Sequence, residues 1–326
     1  MTAGPDRPAL VKMKDKIMAL LNFRKKEAPA PMLPTPEVEA FLTDYSIEVM
    51  PRTAEKVENF RDLLPKNTRV YIAHIEGTPI DDMVATASRL NADGFRVMPH
   101  FPARIIKDKA TLADWIARYQ GEADVKQALL LAGGVTDPVG AFDSSMQLME
   151  TGLFDEAGFE RLHVAGHPEG NRDIDADGSM TNVSAALRWK NDFQSRTDAK
   201  MAIATQFAFE ADPIIKWADG LAAEGITLPI HIGIAGPAKL QTLIKFAIAC
   251  GVGPSIKVLQ RRAMDVTKLL LPYEPTDVIT ALAAHKAANP EFNITHAHFF
   301  PLGGIKTNAN WAIENGGTPA QPANAA

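Results

Sequence analysis

The sequence predicts a (β/α)8 barrel with an N-terminal helical extension, and three observations predict it. Eight short apolar runs each end in a polar or glycine-rich stop. Stretches of helical periodicity, with apolar residues three and four apart, lie between them. Several of the runs are near-continuously apolar, as parallel strands covered on both faces should be. A chain of 326 residues, 46% hydrophobic, is long enough for one such domain.

The elements follow in chain order. Residues 1–38 stand apart: Leu10 to Lys26 reads as a short basic amphipathic helix, and the run Ala28-Pro29-Ala30-Pro31-Met32-Leu33-Pro34-Thr35-Pro36 as a stiff linker. The barrel is placed at 39–315. Its strands are expected over Tyr45–Met50, Arg69–Ile75, Phe95–Phe101, Gln127–Ala132, Arg161–Gly166, Lys200–Phe207, Pro229–Ala235 and Thr295–Pro301. Helices are expected over Asp81–Leu90, Leu112–Tyr119, Ala141–Leu148, Ala185–Asp192, Pro213–Ala223, Leu240–Ala249 and Thr276–Ala287. Residues 316–326 are rich in Gly, Pro and Ala and read as a disordered tail.

Composition narrows the function. A net charge of −5 speaks against a nucleic-acid binder, which carries a basic excess. The one cysteine, Cys250, allows no intramolecular disulfide and no Cys-based zinc site, and its apolar setting suggests a small buried residue. No run reaches the roughly 18 apolar residues of a membrane span, and no secretory signal is visible, so a cytoplasmic protein without membrane partners is expected.

In a barrel of this kind the chemistry sits where polar residues end the strands. The first strand carries Glu48 where a packed strand should be apolar. A carboxylic acid held in a partly apolar site has its pKa raised and can donate a proton near neutral pH. Histidines recur near the ends of other strands: His74, His100, His167 and His298. They could form a metal cluster, or more simply core or cofactor contacts; no metal is assigned. Gln206 ends the sixth strand, and a buried amide there can read a heteroaromatic ring through a paired donor and acceptor. Ala132-Gly133-Gly134 ends the fourth, where adjacent glycines let backbone approach a flat or phosphorylated ligand. No dinucleotide-binding glycine fingerprint and no phosphate-binding P-loop is present.

Together these stops resemble the methylenetetrahydrofolate reductase family, over most of Ser46 to Trp311. Ser46-Ile47-Glu48-Val49-Met50-Pro51-Arg52 is similar to the family's Phe-Glu-Phe-Phe-Pro-Pro-Arg opening, and Pro99-His100 to its Pro-His on the third strand. His163-Val164-Ala165-Gly166-His167-Pro168-Glu169 resembles its Ala-Tyr-Pro-Glu segment, and Thr205-Gln206-Phe207-Ala208-Phe209 its Thr-Gln-Phe-Phe-Phe. Gly233-Ile234 with Phe246, and His298-Phe299-Phe300-Pro301-Leu302, resemble the last two strand segments.

The resemblance implies reduction of 5,10-methylenetetrahydrofolate to 5-methyltetrahydrofolate by NADH or NADPH through bound FAD. It makes Glu48 the general acid and puts Gln206, Phe246 and Leu302 against the folate. It puts His74, His100, Ala132, Gly133, Gly134, His167, Asn171 and Lys190 at flavin positions, with Lys190 near phosphate. Tetrahydrofolate derivatives are the implied partners, and a homo-oligomer is compatible with the family. Several flavin positions depart from the pattern. Ala132-Gly133-Gly134 replaces Arg-Gly-Asp, Ala73 replaces a threonine, His167 a tyrosine and Asn171 a histidine. The departures leave open a flavin-independent folate reductase and a non-catalytic folate-binding protein. The strand-end histidines leave open a metal-dependent barrel hydrolase or lyase.

Overall fold

A computed structural model describes residues 34–249, 258–260 and 271–318. The expected basic helix, most of the proline-rich linker, Cys250 and residues 319–326 lie outside the described residues. Eight parallel strands close into a barrel in sequence order, β1 pairing with β2 on one side and β8 on the other. The strands are β1 (Ser46–Val49), β2 (Arg69–Ile72), β3 (Arg96–Pro102), β4 (Gln127–Leu131), β5 (Arg161–Gly166), β6 (Lys200–Ala208), β7 (Ile230–Ala235) and β8 (Ile294–Phe300). Each falls within a few residues of its expected position.

The helices among the described residues are, in chain order, α1 (Pro36–Leu42), α2 (Pro51–Ala54), α3 (Ile80–Ala92), α4 (Lys109–Ala123), α5 (Ser145–Glu150) and α6 (Leu153–Glu156). They continue as α7 (Thr181–Phe193), α8 (Ala211–Ala223), α9 (Leu240–Ala249), α10 (Thr276–Ala288) and α11 (Ile305–Glu314). Four of these, α1, α2, α6 and α11, are not among the helices expected from the sequence. Thr35 starts α1, its hydroxyl accepting from Val38 N at 3.4 Å with Pro36 at the first helical position. The helix expected from Ala141 begins only at Ser145, because Ser144 and Gln147 form a capping box that fixes the start there. Gly316 to Thr318, assigned to the tail, are held: the Thr318 carbonyl accepts from Asp44 N at 2.6 Å, and a Cβ on Gly316 would press on Glu39.

The main apolar core lies between the outer faces of the strands and the helices. It includes Ile47, Val49, Val70, Ile72, Phe101, Leu130, Val164, Ile203, Ile232, Ile234 and Phe299. Burying such branched and aromatic side chains contributes roughly 1.5–3 kcal/mol each. Alternation sends the intervening residues inward. Part of the barrel interior is apolar in the usual way, with Tyr71, Met98, Leu129 and Ala204 in contact. The rest is polar, and that half positions the site. Among the described residues no helix is long and apolar enough to cross a membrane.

Candidate functional site

Strand β1 sets the centre of the site. Ile47 and Val49 pack outward, so Ser46 and Glu48 face the interior. Glu48 meets two histidines brought from distant strands. His100 Nε2 of β3 lies 3.3 Å from Glu48 Oε2, and His298 Nε2 of β8 lies 3.8 Å from the same oxygen. The other ring nitrogen of His298, Nδ1, is 3.0 Å from Ser46 Oγ. That contact ties the ends of the barrel seam together, since Ser46 and His298 are register partners.

The sequence leads one to expect a raised pKa at Glu48, and here the structure corrects it. Burial does raise it, but His100 and His298 together outweigh burial and hold the carboxyl at about 2 against an ordinary 4.5. The resting group is an ionised carboxylate between two imidazoles. His298 is pushed the other way: burial lowers its basicity, and Glu48 only partly restores it.

Below Glu48 the interior continues as a polar spine. The Tyr71 hydroxyl of β2 lies 2.5 Å from His163 Nδ1 of β5, a contact that crosses the barrel. The His163 and His231 rings meet edge to face at 4.5 Å, and His231 stacks on His296 at 4.3 Å. His296 Nε2 then lies 3.7 Å from Asp44 Oδ2 beneath β1. His163 and His231 are fully buried, and burial holds both well below the ordinary imidazole value, so both are neutral. His163 Nε2 and His231 Nδ1 have no hydrogen-bond partner among the described residues.

On the β6–β8 side the mouth is apolar. Phe207, Phe209, Ala235, Leu240, Leu243 and Tyr273 form a second cluster, against which Phe246, Phe300 and Leu302 pack. Phe207 meets Phe300 edge to face at 5.3 Å, and Phe300 meets His298 at 4.9 Å, so this cluster reaches the imidazole beside Glu48. Gln206 sits in a bulge, because three steps along β6 from Ala204 to Phe207 face two along β7. Gly233 permits it: a Cβ there would lie 2.5 Å from Thr205 O. The Thr205 hydroxyl pins the bulge by accepting from Gly233 N and donating to Gln206 O, both at 2.8 Å. The Gln206 amide is partly exposed and makes no hydrogen bond among the described residues.

The other predicted residues gather on the β2–β5 side. His74 stacks on Trp115 at 4.9 Å and contacts Thr78 O at 2.9 Å through Nε2, leaving Nδ1 buried without a partner. Lys190 of α7 is buried and donates to Ala165 O at 3.0 Å; burial lowers its amine to about 8. His167 follows β5, held at about 4 by burial and by Lys190. Gly133 takes φ +99°, while Ala132 O accepts from Arg104 N. Asn171 spends its side chain on a local turn, accepting from Asp173 N at 2.8 Å.

The four strand-end histidines therefore do not converge. His100 and His298 reach Glu48, while His74 and His167 pack elsewhere. Among the described residues no group of three or more His, Cys, Asp or Glu side chains is arranged to hold a metal ion. Sequence reasoning missed Ser46, Tyr71, His163, His231 and His296 as members of the spine, and Phe207 and Phe300 as the apolar wall. The available signal was alternation: each of the spine residues falls on the same inward-facing parity of its strand as Glu48.

No protein-family model matches the sequence. Among solved structures, a protein from Clostridium thermocellum that binds two copies of 5-methyl-5,6,7,8-tetrahydrofolic acid superposes with a TM-score of 0.52. The match covers 84% of this chain and 95% of that one at 9% identity. The mannotriose complex of Thermomonospora fusca β-mannanase gives 0.36 at 13% identity, covering 64% of this chain and 76% of that one. The carboxyl transferase domain of Rhizobium etli pyruvate carboxylase gives 0.38 at 9% identity, covering 79% and 49%. At these identities the likeness is one of fold.

Proposed function

We propose that this protein reduces 5,10-methylenetetrahydrofolate to 5-methyltetrahydrofolate at the C-terminal mouth of the barrel, with NADH or NADPH as the source of hydride. The observation that carries the reading is the convergence of His100 and His298 on one oxygen of Glu48 beside an aromatic wall. The methyltetrahydrofolate held by the Clostridium thermocellum barrel supports the ligand class.

The chemistry needs one proton and one hydride. A carbon–nitrogen bond of the five-membered ring breaks, its electron pair stays on the departing nitrogen, and that nitrogen takes a proton. The methylene carbon is left as an iminium, which a hydride and its two electrons convert to the methyl group. Glu48 Oε2 is the atom from which the proton passes to the departing nitrogen. The carboxylate alone, held at about 2, is no store of protons at neutral pH. The proton must therefore reach Oε2 during the reaction, and His100 Nε2 and His298 Nε2 are the groups beside that oxygen. Filling the mouth with a pterin expels water and makes that transfer easier, since a charged carboxylate then loses its solvation. The Gln206 amide offers a donor and an acceptor to the pterin edge, and Phe246, Phe300 and Leu302 give its faces apolar surface.

FAD fits the β2–β5 side on two observations: a buried, under-compensated Lys190 cation suited to a phosphate, and the unpartnered buried Nδ1 of His74. His74, His100, His167 and Lys190 would hold it, and the chemistry it supplies when bound is passage of the nicotinamide's hydride to the folate. A second reading, direct transfer from the nicotinamide, is favoured by one feature: Ala132-Gly133-Gly134 brings no carboxylate or guanidinium to this side.

The test is turnover of methylenetetrahydrofolate by purified protein, with its visible spectrum recorded. Glu48→Gln should lower reduction by about 10²–10⁴-fold while methyltetrahydrofolate binding persists. Unchanged turnover in that variant sinks the role of Glu48. Turnover without flavin bands selects direct transfer, and folate binding without turnover by either nicotinamide selects a non-catalytic folate-binding protein. Loss of turnover on metal chelation would instead favour a metal-dependent hydrolase or lyase.

A further inference from the structure

The opposite, N-terminal end of the barrel carries charge that the folate reading does not use. β2, β3, β5 and β6 each begin with a cation: Arg69, Arg96, Arg161 and Lys200. Register sets Arg69 beside Arg96, and Gln127 beside Arg161, which in turn neighbours Lys200. Arg69 shares its strand face with Tyr71, and Arg161 with His163, and those two side chains meet across the interior. Both guanidinium groups therefore stand on the inner face at the rim.

The three arginines are not equally answered. Arg96 pairs with the Asp44 carboxylate and donates to Asn67 O. Arg69 is only 3% exposed, yet its one hydrogen bond among the described residues runs from Nε to Gln127 Oε1 at 3.0 Å. Arg161 makes no hydrogen bond or ion pair among the described residues. Helix C-termini at this end offer partial negative charge, but their carbonyls are taken by other side chains. Arg61 holds Ala92 O and Asp93 O, and Asn91 holds Ala123 O. Arg69, buried and joined only to the neutral Gln127 carbonyl, thus has no carboxylate partner among the described residues, and an uncompensated buried cation is costly. Half-buried Arg161 has only the charge of neighbouring Glu160. The excess is felt nearby: burial, then Arg69, Arg96 and Arg161, hold His296 at about 4.

We propose that Arg69, Arg161 and Gln127 form an anion site at the N-terminal end of the barrel, taking a small multivalent oxyanion of the phosphate class. The donor set suits it. Two planar forks offer paired N–H groups, and Gln127, whose carbonyl oxygen already accepts from Arg69, has its NH₂ left to donate. An anion there completes the charge balance of the folded state, so its binding stabilises the fold by mass action. The site is independent of the folate mouth.

The experiment titrates the full chain with inorganic phosphate against sodium chloride at matched ionic strength, reading the thermal midpoint and the heat of binding. Wild-type protein should show a midpoint that rises with phosphate beyond the chloride control. Arg161→Gln, which removes a group with no hydrogen bond or ion pair among the described residues, should weaken phosphate binding at least tenfold, and Arg161→Lys by less. Arg188→Gln, on an exposed ion pair with Glu224, should leave it unchanged. A parallel titration with glycerol 3-phosphate separates a phosphomonoester, which would bind more tightly than phosphate, from the free ion, for which the two would be equal. A wild-type midpoint that follows chloride and phosphate alike overturns the proposal, whether or not the variants fold. So does undiminished phosphate binding by Arg161→Gln.

Discussion

Two regions of this barrel's interior are built from opposite materials. Down the axis, Ser46, Tyr71, His163, His231 and His298 touch one another through polar atoms and rings in a space that barrels usually fill with branched aliphatic residues. Over β6 to β8, Phe207, Phe209, Tyr273 and Phe300 pack edge to face through their rings. The first region fixes geometry by direction, since each hydrogen bond has one good alignment. The second supplies area that tolerates a ligand's shape. The difference teaches that the Glu48 carboxylate and the aromatic surface beside it are positioned by separate physical means, and that they respond to different insults.

Acid should break the comparison most strongly. His163, His231 and His298 are all held below the ordinary imidazole value by burial, whereas in an unfolded chain each takes up a proton near pH 6.5. The unfolded state therefore binds more protons as pH falls below 6.5, and stability falls with it. His163 and His231, held well below the ordinary value, amount to about 3 kcal/mol per pH unit, which is large beside a total of about 5–15 kcal/mol, and His298 acts in the same direction. His167 and His296, held at about 4, add to the loss in the same window. Glu48 acts lower down, its contribution fading from pH 4.5 towards 2. Urea midpoints at pH 7.5, 6.0 and 5.0 should drop steeply. A midpoint constant across that range would mean that these histidines are not buried and neutral. The apolar wall titrates nothing and predicts no such slope.

A smaller break is Tyr71→Phe. It keeps the ring in its packed place and removes the hydroxyl that meets His163 Nδ1, leaving that imidazole with both nitrogens unpartnered. The expected cost is about 1–3 kcal/mol by chemical denaturation. Equal stability would show that water or a shifted ring replaces the hydroxyl, and the spine would then be packing alone.

The sequence made the strands legible because parallel strands buried on both faces are continuous apolar runs, and Glu48 legible because it interrupts one. Gln206 stood out by its position at a strand end, Phe246 and Leu302 only through the family resemblance, and the structure brings Phe246 and Leu302 onto the same aromatic cluster. What alternation could not say is who meets whom across a closed ring. Tyr71 and His163 are 92 residues apart, and Ser46 and His298 are 252 apart. The sign of the Glu48 shift was lost for the same reason. Burial could be inferred from the strand, but two imidazoles on one oxygen could not. The short helices α2 and α6, four residues each, are too brief to show a period.

Gln206→Ala is the mildest test and sharpens the boundary between the two regions. The amide sits in the bulge that Gly233 and the Thr205 hydroxyl hold open, and neither of those contacts uses the Gln206 side chain. Removing it leaves the bulge, the aromatic wall and the Glu48–His100–His298 group in place, so the denaturation midpoint should move by less than about 0.5 kcal/mol. Folate affinity should fall by about 1–2 kcal/mol, roughly five- to thirtyfold, because the pterin edge loses a paired donor and acceptor. The pH dependence of turnover should stay where Glu48 and its imidazoles set it. An affinity unchanged by this substitution would take Gln206 out of the binding surface and leave recognition to the aromatic wall alone.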